Sequence, residues 1–269
     1  MKLLDELRVR PGDGPSLDRR DPGARLGADS KSDGLERLAK LVDRLGVLHN
    51  RLYAEARRSV LLVLQGMDAS GKDGVIRTVF TGVNPQGCRV EAFKAPTPDE
   101  LAHDFLWRVH ARCPARGEIG IFNRSHYEDV VAVRVRKLAD EHVWSKRPAH
   151  IVAFERLLHD EGTSVVKVFL HESRDEQRKR LQDRVDDPEK RWKFRLGDLD
   201  DREKWDDFQR AYEDVIRETS TENAPWYVVP ADHNWARNLC VAEILVDALD
   251  RLDPAVPAVE PGTADLTVH

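Results

Sequence analysis

The strongest constraint on the fold of this chain is a glycine-rich stretch that lies between two apolar segments. Val60–Leu64 is a short β-branched and leucine-rich run that ends before Gly66, as expected for a strand buried on both faces. The pattern Gly66-x-x-x-x-Gly71-Lys72 follows, and apolar residues then recur at helical spacing from Val75 onward. Strand, glycine loop and helix in this order form the context that a phosphate-binding loop requires. The alternative is a simple glycine turn between a strand and a helix.

Such a loop binds anions through its backbone and through one lysine. Glycines let backbone N–H groups point inward at an anion, and the helix N-terminus adds roughly half a positive charge. Lys72 can reach the outer phosphates of a bound chain. The residues predicted to contact phosphate in this loop are Gly66, Ala69, Ser70, Gly71, Lys72, Asp73 and Gly74.

Two acids distinguish this loop from the common form. Asp73 stands where Ser or Thr usually holds magnesium, and Asp68 lies inside the loop. A carboxylate beside phosphates is repelled unless a cation lies between them. We therefore predict that Asp68 faces Mg²⁺ held by phosphate oxygens, and Asp73 is a second candidate for contact with the same ion. For Asp73 the alternative is a first-turn acid favoured by the helix dipole.

Composition excludes several classes of partner. The chain has 269 residues and a net charge of −5, so nothing global favours nucleic acid or an anionic membrane. Any anion site must therefore be a local basic cluster. Its three cysteines are widely spaced and show neither a metal pattern nor a disulfide framework, which suits the cytoplasm. No apolar stretch approaches the ~18 residues of a membrane span.

The order of elements predicts the fold class. Strands and helices alternate along the chain, which favours a three-layer αβα fold with a central parallel sheet of five strands. We predict an N-terminal arm over residues 1–34 that is ordered only if it packs, one domain over 35–252, and a mobile tail over 253–269. The strands other than the loop strand are expected at Arg89–Lys94, Glu118–Asn123, Ser164–Leu170 and Pro225–Pro230. The helices are expected at Gly34–Arg58, from Thr97 through Val109, and at Pro148–Gly162, Asp201–Thr219 and Asn234–Leu252.

A polar cluster follows the strand that ends at Asn123. Ligands in open α/β sheets bind at the carboxyl ends of the strands. Asn123 stands where phosphate-loop enzymes usually have an acid for the metal. Since an amide cannot neutralise the charge of the metal, we expect Asp68 to do so. Arg124 can hold a phosphate bidentately, with a salt bridge to a neighbouring acid as the alternative. Glu128 is a candidate for contacts with the sugar or phosphate of an acceptor. The rings of His126 and Tyr127 either stack on a base or belong to a buried helix start.

A second basic cluster follows the fourth strand. Residues 174–195 contain nine basic and six acidic side chains, interrupted by Pro188. Such a run is usually a solvated helix surface. At this place in the chain, however, small nucleotide kinases carry an arginine-bearing lid that closes over the phosphoryl donor. We predict a helical lid over about 174–202.

The loop after the last strand supplies two further candidates. In kinases of this topology it borders the adenine, so Asp232 and Arg237 are predicted to face a nucleotide base. Capping and surface pairing are the alternatives for both.

Together these motifs resemble the polyphosphate kinase 2 family over residues 35–252. The matching segments are GMDASGKDG (66–74), NPQG (84–87), FNRSHYEDV (122–130) and the lid run that ends in DPEKRWK (187–193). The resemblance implies a P-loop kinase fold and reversible, Mg²⁺-dependent transfer of the terminal phosphoryl group of inorganic polyphosphate to a nucleotide. It also implies assembly into a homodimer or homotetramer, for which the helices at 34–58 and 148–162 offer more apolar surface than one small sheet needs.

The resemblance assigns roles to single residues. Asp68, Lys72 and Arg124 match the family's catalytic positions, and Asn123 precedes the arginine as in members that accept nucleoside monophosphates. Three basic residues match its lid cations: Arg178, Arg184 and Lys193. ADP and AMP are therefore the expected acceptors, and guanine nucleotides are further candidates. The rival hypotheses are an ATP-dependent nucleotide kinase of thymidylate-kinase type and a nucleotide-binding module without activity.

Overall fold

The computed structural model describes residues 2–263 and 266–267, and its centre is a six-stranded sheet. The strands are β1 (Arg8–Val9), β2 (Ser59–Gln65), β3 (Cys88–Ala92), β4 (Ile119–Asn123), β5 (Thr163–His171) and β6 (Trp226–Pro230). Their order across the sheet is β1-β6-β5-β2-β4-β3. The strands β2 to β6 run parallel, which confirms the predicted α/β class, and β1 adds an antiparallel edge to β6.

Helices cover both faces of this sheet. In chain order they are α1 (Lys2–Leu7), α2 (Lys31–Glu55), α3 (Lys72–Val79), α4 (Pro98–Leu101), α5 (Trp107–His110), α6 (Glu128–Val135), α7 (Glu141–Trp144), α8 (Arg147–Asp160), α9 (Arg174–Asp186), α10 (Gly197–Glu203), α11 (Trp205–Thr219) and α12 (Asn234–Leu252). Short 3₁₀ turns lie at Leu17–Arg19, Pro85–Gly87 and Arg191–Lys193.

The layers follow from the alternation of side chains along the strands. Val60, Leu62 and Leu64 of β2 belong to the core beneath α2, α3 and α12, whereas Leu61 and Val63 belong to the core beneath α6, α8 and α11. Successive strand residues point to opposite faces, so an uninterrupted apolar strand feeds both cores. Full burial of each such side chain stabilises the fold by about 1.5–3 kcal/mol.

The helix predicted from Thr97 through Val109 is wrong in its length. The capping box of Thr97 and Glu100 is present, but it opens only the single turn α4. Asp104 then accepts a hydrogen bond from the backbone N–H of Leu106 at 2.9 Å. This local turn competes with the helix, so α5 begins separately.

The N-terminal segment packs onto the sheet. In β1, Arg8 pairs with Tyr227 and Val9 with Trp226 of β6. Leu7 and Val9 are buried, and Ser220 Oγ donates to the Val9 carbonyl at 2.6 Å. A two-residue strand is too short to show periodicity, which is why the sequence did not predict it. Met1 of the predicted arm, and Ala264, Asp265, Val268 and His269 of the predicted tail, lie outside the described residues.

Parallel strands bring their carboxyl ends to one edge of the sheet. The loops after β2, β4, β5 and β6 meet there, so the segments that the sequence singles out become neighbours. Within residues 2–263, no helix is long and apolar enough to cross a bilayer.

The packing of α1 gives a stability prediction. Leu7→Ala is expected to lower the free energy of unfolding by about 2–5 kcal/mol, because it empties a fully buried site. Urea unfolding measures this change. Leu101→Ala, at an exposed leucine, is the matched control and should stay within about 0.5 kcal/mol of the wild type. A Leu7→Ala loss as small as that of the control would contradict the packing of the N-terminal segment.

Candidate functional site

The loop between β2 and α3 owes its shape to residues with positive φ. Gly66 has φ +148° and Gly71 has φ +94°, conformations that side chains rarely adopt. A Cβ at Gly71 would also collide with the guanidinium of Arg237. Ala69 takes φ +73° although it is not glycine, and such strain persists only where the surroundings hold it. The loop is therefore a tightly specified turn.

The loop lysine is folded against its own loop. Lys72 Nζ donates to the carbonyls of Gly66 at 2.7 Å and Met67 at 3.1 Å, and to Ser70 Oγ at 3.3 Å. Burial lowers the pKa of Lys72, as does the charge of Arg124, while Asp68 opposes the shift. Because all three hydrogen-bond acceptors are neutral, the ammonium charge is available to an anion at the loop.

An ion pair joins this loop to the end of β4. The Nη2 atom of Arg124 contacts Oδ1 of Asp68, and Arg124 itself takes φ +63°. Burial tends to raise the pKa of Asp68, but Arg124 and Lys72 outweigh it and hold that pKa below its usual value. Asp68 is therefore ionised at neutral pH and can face a cation. Burial tends to lower the pKa of Arg124, but the charges of Glu128 and Asp68 outweigh burial and raise that pKa above its usual value. Arg124 therefore stays charged.

The second loop acid faces the same strand end. Asn123 Nδ2 donates to Asp73 Oδ1 at 2.7 Å. Arg124 also lies 4.0 Å from Glu128. Burial raises the pKa of Glu128, although the charges of Arg124 and Lys72 oppose this shift. The structure thus brings Asp68, Asp73 and the predicted residues of the β4 turn into one cleft.

That cleft has a volume of about 1080 Å³ and is strongly basic. Twelve lysines and arginines line it against six acids, in a chain whose net charge is −5. Five of these cations come from the segment after β5, and the others come from the phosphate loop with α3, the segment after β3, the β4 turn with the end of α6, and α12. Such a local excess of positive charge suits a polyanion.

The segment after β5 forms a helical lid beside the cleft, as predicted. Its two arms, α9 and α10, are joined by the pair Arg184–Asp198 at 3.8 Å. Its base contacts the phosphate loop, because Gln177 Nε2 donates to the Asp68 carbonyl at 3.0 Å and Arg180 to the Ala69 carbonyl at 3.1 Å. At its tip Trp192 is 76% exposed.

Only part of the predicted lid set lies in the cleft. Arg184 and Lys193 line it, whereas Arg178 lines a separate surface pocket of about 440 Å³ on another side of α9. Asp232 lines that second pocket, and its Oδ1 accepts from the Ser173 N–H at 2.8 Å. Asp232 thus contacts the start of α9 in this structure.

Arg237 lies against the phosphate loop. It is 2% exposed and donates to the Ser70 carbonyl at 3.3 Å and to Asn234 Oδ1 at 2.8 Å. Burial, together with Arg180, lowers the pKa of Arg237 to about 10. Its guanidinium therefore supports the turn of the loop from behind.

Sequence reasoning missed Glu172 and Arg180. Glu172 is buried at the end of β5, and its Oε1 has no hydrogen-bond partner among the described residues. Arg180 lies 3.5 Å from its other oxygen and also donates to the carbonyls of Ala231 and Asp232. Burial raises the pKa of Glu172 well above its usual value, outweighing Arg180 and Lys72. The one available signal was an acid directly after the apolar strand β5.

The donor set fits a magnesium ion that is held mainly by a substrate. Among residues 2–263 and 266–267, no three His, Cys, Asp or Glu side chains form a cluster that could hold a metal alone. Asp68 and Asp73 nevertheless line the same cleft. Mg²⁺ commonly takes one or two carboxylates and completes its shell with water and phosphate oxygens.

Comparison with known proteins gives one consistent family. The polyphosphate kinase 2 (PPK2) profile matches residues 28–257. An AMP/ADP-polyphosphate phosphotransferase of Meiothermus ruber is 54% identical over 99% of this chain and 100% of its own length. An ADP-polyphosphate phosphotransferase of Rhodopseudomonas palustris is 48% identical over 87% of this chain and 85% of its own. The crystal structure of Polyphosphate Kinase 2 from Arthrobacter aurescens superposes with a TM-score of 0.90 at 44% identity, covering 97% and 92% of the two chains.

The buried carboxyl of Glu172 gives a pH prediction. Its raised pKa means that the folded state binds the proton more tightly than the unfolded state. The contribution of Glu172 to stability should therefore fall as pH rises above about 4.3, the unfolded pKa, toward the folded pKa. Glu172→Gln removes this fall and should be more stable than the wild type at pH 8.

Urea unfolding between pH 4 and pH 8 checks this expectation. The difference between the two proteins should be small at pH 4, where Glu172 is protonated in both states, and should grow with pH. Two curves that run parallel over the whole range would contradict the buried, protonated carboxyl.

Proposed function

Because this chain belongs to the polyphosphate kinase 2 family, we propose that it transfers a phosphoryl group reversibly between inorganic polyphosphate and a nucleotide. AMP and ADP are the proposed acceptors. The observation that carries the proposal is the basic lining of the cleft in a protein of net negative charge. The names of the Meiothermus and Rhodopseudomonas relatives support the same substrates.

The distribution of charge favours a linear phosphate chain as the donor. Four lid cations, Arg184, Lys190, Lys193 and Arg195, line the cleft beyond the phosphate loop. A nucleoside triphosphate carries only three phosphates, whereas a polyphosphate repeats its charge along its length. We infer that the loop binds the terminal phosphates and that the lid cations bind the next ones.

The proposed mechanism needs no strong general base. The attacking oxygen of a nucleoside mono- or diphosphate is already ionised at neutral pH. Catalysis is then in-line positioning together with stabilisation of the charge on the transferred group. Lys72 and Arg124 supply fixed positive charge, and the loop amides orient the donor.

We propose that Asp68 holds Mg²⁺ and that Asp73 contributes through its position beside Asn123. The ion would neutralise charge on the donor phosphates and the transferred group. In the structure Asp68 is paired with Arg124, so its carboxylate is already oriented toward the end of β4.

A donor and acceptor assay tests the proposal. The purified chain with Mg²⁺ and long-chain polyphosphate should convert ADP to ATP, and AMP to ADP and then ATP, as followed by chromatography. Chelation of Mg²⁺ should abolish both conversions. Transfer from ATP to AMP without any transfer from polyphosphate would make the chain a conventional nucleotide kinase. Nucleotide binding without transfer from any donor would make it a binding module.

Two loop variants test the proposed roles. Asp68→Asn and Lys72→Ala are each expected to lower kcat by about a hundredfold or more, because each removes a preorganised charge. Lys40→Ala, at an exposed lysine of α2 paired with Glu36, is the control and should keep wild-type turnover. Near-normal turnover in both loop variants would contradict the assignment.

The division into arm, domain and tail, the homodimer or homotetramer and the cytoplasmic location stay predictions. So do the roles of Arg178 in polyphosphate binding and of Glu128, Asp232 and Arg237 in nucleotide binding.

A further inference from the structure

A buried ion pair lies under the β4 turn and has no part in the mechanism above. Lys167, in the middle of β5, and Glu155, on α8, are almost completely buried. Lys167 Nζ lies 2.5 Å from Glu155 Oε2 and also donates to the Thr219 carbonyl at 2.7 Å. Two charges in such a place are costly unless they are paired and hydrogen-bonded.

The pair is bonded to the turn that follows Arg124. Tyr127 Oη donates to Glu155 Oε1 at 2.8 Å and accepts from Lys167 Nζ at 3.1 Å. His126 Nε2 lies 3.4 Å from the same carboxylate oxygen. His126 and Tyr127 are both fully buried, so they serve the core of the protein and do not stack on a nucleotide base.

The other side of this turn is fixed from β2. The carboxamide of Gln65 lies 3.0 Å from Ser125 Oγ, which also accepts from the Tyr127 N–H at 3.2 Å. Arg124 N donates to the Leu64 carbonyl at 3.1 Å. Arg124 is thus held between contacts from β2 and contacts from the buried pair.

The backbone of Arg124 explains why it needs such support. A non-glycine residue at φ +63° is strained, and strain of this kind persists only where the surrounding structure holds it. The side chain that leaves this backbone reaches Asp68 in the phosphate loop. A small relaxation of the turn would therefore move a guanidinium that has to meet a transferred phosphoryl group.

We propose that Glu155, Lys167 and the hydroxyl of Tyr127 are positioning residues that hold the strained Arg124 turn in its working geometry. The inference rests on the proposed phosphoryl transfer, in which Arg124 stabilises charge. The ion pair acts on turnover through Arg124 and contributes little to stability. Buried ion pairs that are replaced together by apolar residues often leave stability unchanged or higher.

The mildest test removes one oxygen atom. Tyr127→Phe keeps the ring, which packs edge-on against Trp226 with centroids 4.8 Å apart, and deletes only the hydroxyl. We expect kcat to fall about tenfold or more, with KM for polyphosphate and AMP within about threefold. Tm should fall by only a few degrees, because the buried pair loses one hydrogen-bonding partner. Tyr227→Phe, at another buried tyrosine in the opposite core, is the matched control and should keep wild-type kcat. An unchanged kcat in Tyr127→Phe overturns the inference.

The double variant Glu155→Leu/Lys167→Met separates positioning from stability. It removes both charges together, so Tm should be maintained or raised while kcat falls about tenfold or more. Wild-type kcat in this folded variant overturns the inference. If the variant does not fold, the stability half of the inference is overturned.

Coupling to Arg124 gives a readout that a merely structural role would not move. In an Arg124→Ala background, Tyr127→Phe should change kcat by less than about twofold, because the group that it positions is gone. A loss of kcat that is as large in this background as in the wild type overturns the inference.

A spectroscopic measurement distinguishes failure of the inference from failure of the proposed function. The Arg124 Nε–H resonance, assigned in ¹⁵N-arginine-labelled protein by its loss in Arg124→Lys, should shift in Tyr127→Phe and stay in place in Tyr227→Phe. An unshifted resonance in Tyr127→Phe overturns the inference whatever the activity. A shifted resonance in a chain that transfers nothing from polyphosphate supports the positioning and rejects the function.

Discussion

The ion pair of Asp68 and Arg124 is the interaction on which the geometry of the site depends. It ties the loop after β2 to the turn after β4, the two places where ligands of a parallel sheet meet. Arg124 itself has a left-handed backbone conformation, and Asp68 directly precedes Ala69, which has one too. Neither Ala69 nor Arg124 is a glycine, so the surrounding structure has to hold their strained conformations. Buried polar side chains provide this support. Their role explains why so many of them lie in the core at the carboxyl edge of the sheet.

The same edge of the sheet has a local charge opposite in sign to the net charge of the chain. The cleft is basic while the protein as a whole is acidic, so the remaining surface carries the excess of acids. Arg180 and Arg237 lie close to the buried Glu172, and burial lowers the pKa of Arg237, with the charge of Arg180 as a second cause. Glu172 partly balances them, although its own burial favours the protonated form. Arg180 and Arg237 thus line the cleft and also hold the backbone of the loop through its carbonyls.

Local patterns in the sequence were enough to predict the parallel sheet, the phosphate loop and the β4 turn. A buried parallel strand is a continuous apolar run, and Gly66 to Lys72 has a fixed spacing, so neither depends on distant residues. The antiparallel β1, the split between α4 and α5, and the side of α9 on which Arg178 lies could not be predicted. Each depends on tertiary contacts or on one competing side chain, such as Asp104. The ion pair of Lys167 and Glu155 could not be predicted either, because only the packing of α8 against β5 brings these two side chains together.

The contacts of the lid divide it into a fixed base and an exposed tip. Gln177 and Arg180 are hydrogen-bonded to backbone carbonyls of the phosphate loop, so the first turns of α9 belong to the rigid site. The tip contains Trp192, which is exposed although it borders the cleft. It also contains cations that repel one another when no anion lies between them. Binding of a phosphate chain would relieve this repulsion and lower the cost of bringing the tip toward the loop. In the proposed transfer the donor itself would supply the differential interaction that closure of the lid requires, since mutual repulsion of the cations opposes closure of an empty cleft.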